Sequence, residues 1–277
     1  MSRRETSFFR KKTIQTRFVK KILANKRHKF VASVIILSLG LFLSEYFFGR
    51  SNFFVLIILS VVVNILFFLS ISNDIKGNFS LKIFILPFIF TLSFGLFYSL
   101  VPARFLTRSL ITLFYAIGLY SLFLSQNIFI VSSIRTITLL SSARIVSFVI
   151  TLVSYFFLSN IIFSLHISIL PISIMIFVFS LLLIYHSLWT HSLDKIFKDR
   201  IYWVLMLSFC LFEASLLLSF WPTSPTVIAL FLTGFFYTIV GLTQVWFDKR
   251  LFKGVIWEYI WVAVIVFFIL ILFTSWK

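Results

Sequence analysis

LMLSFCLFEASLLLSFWPTSPT, the stretch from Leu205 to Thr226, decides the fold class of this chain. Its apolar residues do not alternate with polar ones as in a half-buried strand, which indicates a helix that is apolar on every side. Pro222 and Pro225 disfavour helix at the residues before them, so we expect a short, stiff turn at this end. One carboxylate, that of Glu213, lies inside the apolar run.

The composition of the whole chain argues against a water-soluble protein. Of its 277 residues, 61% are hydrophobic and only 12% are charged, whereas soluble domains carry about 25% charged residues. The mean hydropathy of +1.09 agrees with this. Because so few charges could not cover the surface of the protein in water, the sequence predicts that lipid surrounds most side chains.

Nine segments are long and apolar enough to span a bilayer, for which a helix needs about 20 residues. Continuous apolar runs favour helices over a membrane β-barrel. The predicted fold is therefore all-α, a polytopic transmembrane helical bundle. Residues 1–29 would form a basic amphipathic cytoplasmic segment, and residues 30–277 a single transmembrane domain. The predicted spans are approximately 30–48, 53–72, 81–101, 108–127, 145–163, 167–188, 201–221, 225–247 and 256–275.

The basic residues predict that the N-terminus is cytoplasmic. With nine spans, the side of the N-terminus holds all 25 Lys and Arg residues except Arg50, Arg104, Arg108 and Lys277. Such an excess is typical of cytoplasmic loops. It also explains the net charge of +17 without a nucleic acid as partner.

Two interpretations of the span count are open around residues 128–163. The stretch SSIRTITLLSSAR, residues 132–144, contains two arginines. It would also suit an amphipathic linker on the inner membrane surface.

The N-terminal segment has the pattern of an interfacial helix. Within residues 8–29, Ile14, Phe18 and Ile22 form one apolar face and basic residues fill the other. Such a helix lies among lipid headgroups and is attracted to anionic lipid. The alternative is that the segment only anchors the chain and sets its topology. The predicted headgroup contacts are Arg10, Lys11, Lys12, Arg17, Lys20 and Lys21.

Glu213 is the leading candidate for a functional residue. A charge within the bilayer costs roughly 2.5–3.5 kcal/mol on insertion scales, so we expect Glu213 to face the bundle, paired or protonated. It would then handle a proton or cation in an outward-facing cavity, or only fix helix packing. The residues that we predict to form a binding site with it are Glu45, Asn64, Arg104, Arg108 and Tyr237.

The sequence predicts neither a metal site nor a cofactor. His186 and His191, followed by Asp194 and Asp199, are the residues that could ligate a metal. Five positions separate the two histidines, which places them on different helical faces, unlike the i, i+4 pair of a zinc protease. Cys210 is the only cysteine, which excludes an internal disulfide and a cysteine-based zinc site.

A similarity of position supports an enzymatic alternative. Asn73-Asp74 after the second span, and Asp194 and Asp199 after the sixth, resemble the places where intramembrane prenyltransferases of the UbiA type carry aspartate-rich motifs. That resemblance implies magnesium and a prenyl diphosphate. However, the further aspartates of the first motif are absent, and one carboxylate per motif cannot build a two-magnesium site.

Three short motifs resemble those of a family of bacterial multi-pass integral membrane proteins, known as a domain of unknown function. They are SIRTITLL at Ser133–Leu140, SFWPTSPTV at Ser219–Val227 and GLTQ at Gly241–Gln244. The resemblance covers most of the chain from about the second span onward. It implies a bacterial plasma-membrane protein and no particular chemistry.

The sequence thus predicts a non-enzymatic accessory or transport-like protein of the plasma membrane that binds a lipid, a solute or a partner protein. The alternative is an intramembrane enzyme that modifies lipids, such as a degenerate UbiA-type prenyltransferase. This enzyme would require clustered acidic residues at the inner surface, and those are sparse.

Overall fold

The computed structural model describes residues 27–44, 53–72, 81–101, 104–132, 139–192 and 200–275, and within them it contains helices and no strand. A 3₁₀ turn, Leu81–Phe84, leads into the third helix. The helices are α1 (Arg27–Ser44), α2 (Phe53–Ile71), α3 (Ile85–Leu100), α4 (Phe105–Ser132), α5 (Leu140–Ser164), α6 (Ile169–Ser192), α7 (Ile201–Ser219), α8 (Pro225–Phe247) and α9 (Lys253–Leu272).

The predicted all-α class is confirmed, and so is the number of long apolar helices. Within the described ranges, nine helices have the length and hydropathy needed to cross a membrane. The structure differs from the prediction around residues 132–144. α4 extends to Ser132 and α5 already begins at Leu140, so both helices reach into this stretch. Residues 133–138 lie outside the described part of the chain.

α5 is the central helix, because it packs against α3, α4, α6 and α8. Its Tyr155 is fully buried, with its ring centroid 4.6 Å from that of Phe236 on α8. The Tyr155 hydroxyl accepts a hydrogen bond from Ser180 of α6 over 3.2 Å. An aromatic ring with a bonded hydroxyl therefore joins three helices at the centre of the bundle.

α9 lies at the periphery of the bundle and packs against α8. Only 6% of its most apolar stretch is buried inside the bundle. The close approach depends on glycines of α8: a Cβ on Gly234 would lie 2.6 Å from a methyl carbon of Val266, and one on Gly241 would collide with the Tyr259 ring. These small residues therefore let α8 and α9 approach closely.

The helices run alternately, which gives the bundle two chemically different ends. The basic end contains the C-termini of α4, α6 and α8 and the N-termini of α5, α7 and α9. The basic residues of these terminal turns and adjoining loops in the described chain are Arg144, Arg200, Lys249, Arg250 and Lys253.

The opposite end contains the start of α4, with Arg104 and Arg108, and the turn between α7 and α8. As its prolines predict, this turn is short. The indole nitrogen of Trp221 donates a 2.7 Å hydrogen bond to Thr274 Oγ1. The Ser275 amide donates to the carbonyl of Pro222 over 3.2 Å. The turn is thereby fastened to the residues that follow α9.

Candidate functional site

Glu213 lies on the outer face of α7, where its side chain is exposed. The expectation that it faces the bundle interior is therefore wrong. Leu211 and Ser215, each two residues away, are fully buried, and two residues correspond to about 200° of rotation around a helix. The face of α7 that packs inward is thus opposite to Glu213. Within the described part of the chain, Glu213 makes no hydrogen bond or ion pair.

The other residues predicted to surround Glu213 have different neighbours. Tyr237 packs between Phe148 and Tyr259, with ring centroids 6.0 and 5.2 Å away. Asn64 is half-buried on α2, and Arg104 is exposed at the start of α4.

Arg108 lies one turn further along α4, with its guanidinium carbon 5.9 Å from the centre of the Tyr98 ring. Glu45, the six basic residues of the N-terminal segment, and Asp74, Asp194 and Asp199 all lie outside the described residues. Their predicted roles remain predictions.

The structure instead brings polar residues together in the basic half of the bundle. At the deepest point, Gln126 of α4 and His186 of α6 are both fully buried. Their side-chain Nε2 atoms lie 3.3 Å apart. The amide can donate to a neutral imidazole in this arrangement. Neither Gln126 Oε1 nor His186 Nδ1 has a hydrogen-bond partner among the described residues.

A second layer begins at the next residue of α6 and extends one turn closer to the basic end. Gln244 of α8 donates a 2.8 Å hydrogen bond to the hydroxyl of Ser187 on α6. Arg144, in the first turns of α5, reaches the main-chain carbonyl of Thr190 over 3.3 Å. These contacts satisfy polar groups that would otherwise be unpaired inside the bundle.

The third layer is at the end of α6. His191 Nε2 lies 2.8 Å from Asp248 Oδ1, just beyond α8. Asp248 also lies near enough to Arg144 to interact with its charge. The guanidinium of Arg200 lies 4.6 Å from the centre of the Phe247 ring. An acidic group is therefore held among cationic groups where the cluster reaches the surface.

We call these residues together the polar column. It lies between α4, α5, α6 and α8 and runs from the surface of the basic end to a buried amide–imidazole pair. It consists of Gln126, Arg144, His186, Ser187, Thr190, His191, Gln244 and Asp248.

The chemistry of the polar column is that of hydrogen bonding. It has amide, imidazole and hydroxyl groups, one guanidinium and one carboxylate, which suits a small polar solute better than a multivalent cation. No group of three or more His, Cys, Asp or Glu residues that could hold a metal occurs within the described ranges. His186 contacts α4 whereas His191 contacts Asp248, so the prediction that the two histidines lie on different faces is confirmed.

Sequence reasoning missed Gln126 as a candidate. The signal was present, because Gln126 and Asn127 are consecutive amides in an otherwise apolar region of α4. Asn127 is also buried, at 5% exposure, and its Oδ1 has no hydrogen-bond partner in the described chain. Glu213 was predicted because of its charge. Amide side chains inside a helical bundle also need hydrogen-bond partners.

A family described as "Protein of unknown function (DUF5656)" matches residues 70–273. The chain belongs to this family. The DUF5656 region begins near the end of α2 and ends just after α9, so it includes every residue of the polar column and Glu213. It leaves out the basic N-terminal segment, Glu45 and Asn64. Comparison with curated proteins and with solved structures gave no match.

Proposed function

We propose that the chain is a multi-pass protein of the bacterial plasma membrane, with its N-terminus in the cytoplasm. In this proposal it is a non-enzymatic, accessory or transport-like protein that binds a small polar solute at the cytoplasmic end of the bundle. The binding residues are those of the polar column. Glu213 is not the centre of this site, because it lies on the other face of α7.

The exposed surface of the helices supports the membrane placement. On α9, Trp261, Val264, Ile265 and Phe268 have exposed fractions of 60%, 51%, 53% and 61%. Apolar patches larger than a few hundred Å² are rare on soluble monomers. Hydrocarbon is the medium in which such a surface is stable, and nine helices of spanning length agree with it.

The two ends of the bundle support the orientation. The basic end gathers five cationic residues of the later loops, whereas Arg104 and Arg108 lie at the other end. Lysine and arginine are enriched in cytoplasmic loops. The basic N-terminal segment would add to the same side and contact anionic headgroups there.

The pairing of Gln126 with His186 is the observation that supports solute binding. Both side chains are fully buried, and each retains one hydrogen-bonding atom without a partner in the described chain. Leaving such an atom unpaired costs about 1–3 kcal/mol. A polar ligand that bonds to Gln126 Oε1 and His186 Nδ1 would recover this free energy. The other polar side chains of the column lie between this pair and the surface of the basic end.

The enzymatic alternative has no observation in its favour within the described residues. Asp74, Asp194 and Asp199, on which a UbiA-type diphosphate site would depend, all lie outside them. The alternative therefore remains a prediction of the sequence.

Cysteine accessibility tests the proposal. In a Cys210→Ser background, Ser187→Cys and Thr190→Cys are exposed to the small cationic thiol reagent methanethiosulfonate-ethylammonium in inverted membrane vesicles. If the column admits polar solutes from the cytoplasm, both cysteines react. Small polar solutes that fit the site but lack the thiosulfonate group should slow this reaction. The matched control is Ser180→Cys, two turns deeper on α6 and equally buried, which we expect to be unreactive.

Two results would overturn the proposal. In one, Ser187→Cys reacts no faster than Ser180→Cys, which would make the column a packing element. In the other, the reagent reacts faster in right-side-out vesicles than in inverted ones, which would reverse the orientation.

A further inference from the structure

A groove of about 430 Å³ crosses the outer surface of the bundle between α3, α4 and α5. One wall is formed by Phe90, Phe94 and Phe97 of α3. The other walls are formed by Ile111, Phe114, Ile117 and Gly118 of α4 and by Ile150, Val153 and Phe157 of α5. Every lining side chain is apolar. Ile117 and Phe114 at its edge are 57% and 63% exposed, so the groove opens towards the surrounding medium.

Gly118 shapes the floor of the groove. A Cβ at this position would lie 2.6 Å from Cζ of Phe90, which is closer than real Cβ atoms approach a neighbour. The missing side chain therefore lets the Phe90 ring lie directly against the α4 backbone.

Cationic groups lie beyond one end of the groove. Arg108 is one turn before Ile111 on the same face of α4, and Arg104 is one turn further. The guanidinium of Arg108 lies 5.9 Å from the ring centre of Tyr98, which directly follows the lining residue Phe97 on α3. Arg108 therefore bridges the two helices where the groove ends.

The length of this arrangement matches one leaflet of a bilayer. From Arg108 to Gly118, α4 rises about 15 Å, and half of the hydrocarbon core of a bilayer is also about 15 Å.

The groove volume lies within the roughly 300–1,000 Å³ of ligand pockets. A helix about 10 Å across would displace roughly 800 Å³ over 10 Å of length, so the groove is too small for a partner helix.

We propose that this groove binds the hydrocarbon chain of an anionic lipid, whose headgroup lies at Arg108 in the leaflet opposite the basic end. The inference rests on the membrane placement proposed above but not on solute binding by the polar column. Apolar walls account for the chain, and the guanidinium accounts for the negative charge, since arginine forms paired hydrogen bonds with phosphate.

The test compares matched variants by native mass spectrometry of the purified full chain, with phosphatidylglycerol or phosphatidylcholine added to the detergent. Ile117→Trp fills the groove. Its control, Leu113→Trp, lies one turn away on α4 at a similar exposure of 55% and does not line the groove. We expect the wild-type protein and Leu113→Trp to retain one more phosphatidylglycerol than Ile117→Trp. Val153→Phe, on the α5 wall, provides a second filling variant should Ile117→Trp fold poorly.

The charge is tested with a pair of variants that lower the net charge equally. Arg108→Gln should reduce the preference for phosphatidylglycerol over phosphatidylcholine by about fivefold or more, because it removes a charge-assisted bond. Arg250→Gln, exposed at the basic end, should not. This control is needed because anionic lipid can also bind the many cations of that end.

Equal lipid retention by the two tryptophan variants would overturn the inference, and so would equal effects of the two arginine variants. Copurification of a protein that Ile117→Trp alone releases would overturn it as well. Failure of membrane insertion is detected separately: a chain that alkaline carbonate extracts from membranes would contradict the placement itself, whatever it binds.

Discussion

Gln126 and His186 lie 60 positions apart in the sequence, yet their side-chain nitrogens are 3.3 Å from each other inside the bundle. This contact joins α4 to α6, two helices that are separated in sequence by α5. Each partner is fully buried. A hydrogen bond in such a place fixes the rotation of both helices about their axes, because a small rotation of either one would separate the two groups.

Removal of one partner from this pair should destabilise the fold more than removal of both. In Gln126→Leu or His186→Leu, the remaining polar group loses its partner, which costs about 1–3 kcal/mol. In the double variant no polar group remains, and the loss should be clearly smaller than the sum of the single effects. The free energies of unfolding of the two single variants and the double variant are measured by titration with a denaturing detergent.

The same cycle also separates packing from binding. A double variant that is as stable as the wild type, but in which added polar solutes no longer slow the reaction of Ser187→Cys with the thiol reagent, would show that the pair serves a ligand. Additive losses of stability would instead contradict the proposed coupling of Gln126 to His186.

Substitution of Gly241 should loosen the association of α9. Gly241→Ala places a methyl group against the Tyr259 ring, and overpacking of this kind typically costs about 1–3 kcal/mol. Because α9 packs against α8, we expect earlier proteolysis in the loop before α9 and a lower unfolding midpoint. Gly254→Ala is the matched control, since a Cβ there meets nothing within 4 Å, and its midpoint should stay near that of the wild type.

The Trp221 indole should contribute to stability at the opposite end. Trp221→Phe keeps most of the ring but removes the 2.7 Å bond to Thr274, for which we expect a loss of about 1 kcal/mol. Trp257→Phe changes an indole that is 59% exposed on α9 and should have a smaller effect. Thermal unfolding of both variants in the same detergent makes the comparison. Equal midpoints would contradict a structural role for this bond.

Glu213 should be dispensable for folding. Because its carboxyl group makes no hydrogen bond or ion pair within the described chain, Glu213→Gln and Glu213→Leu should change the free energy of unfolding by no more than about 0.5 kcal/mol. If Glu213→Leu folds normally but abolishes the activity of the protein in cells, a molecule outside this chain recognises the carboxylate. A loss of several kcal/mol for either variant would mean that the side chain has an internal partner.

Glu213 and Gln126 show which properties could not be predicted from the sequence. The polarity of both residues within apolar segments was visible in the sequence. Their directions were not, because helices that are apolar on all sides have no polar face to indicate which side packs inward. Pairing across two helices, as between Gln126 and His186, also depends on the neighbours that each helix acquires, and composition does not specify these.

The amino-acid sequence by itself determined the helical class, the approximate bounds of nine long apolar segments and the accumulation of charge at one end. These properties follow from the length and polarity of each segment taken separately. Tertiary structure alone decided that Glu213 points outward, that Gln126 meets His186 and that Arg108 lies at the end of an apolar groove. Each depends on the rotation and neighbours of whole helices, which small differences in side-chain packing select among many arrangements of nearly equal hydrophobicity.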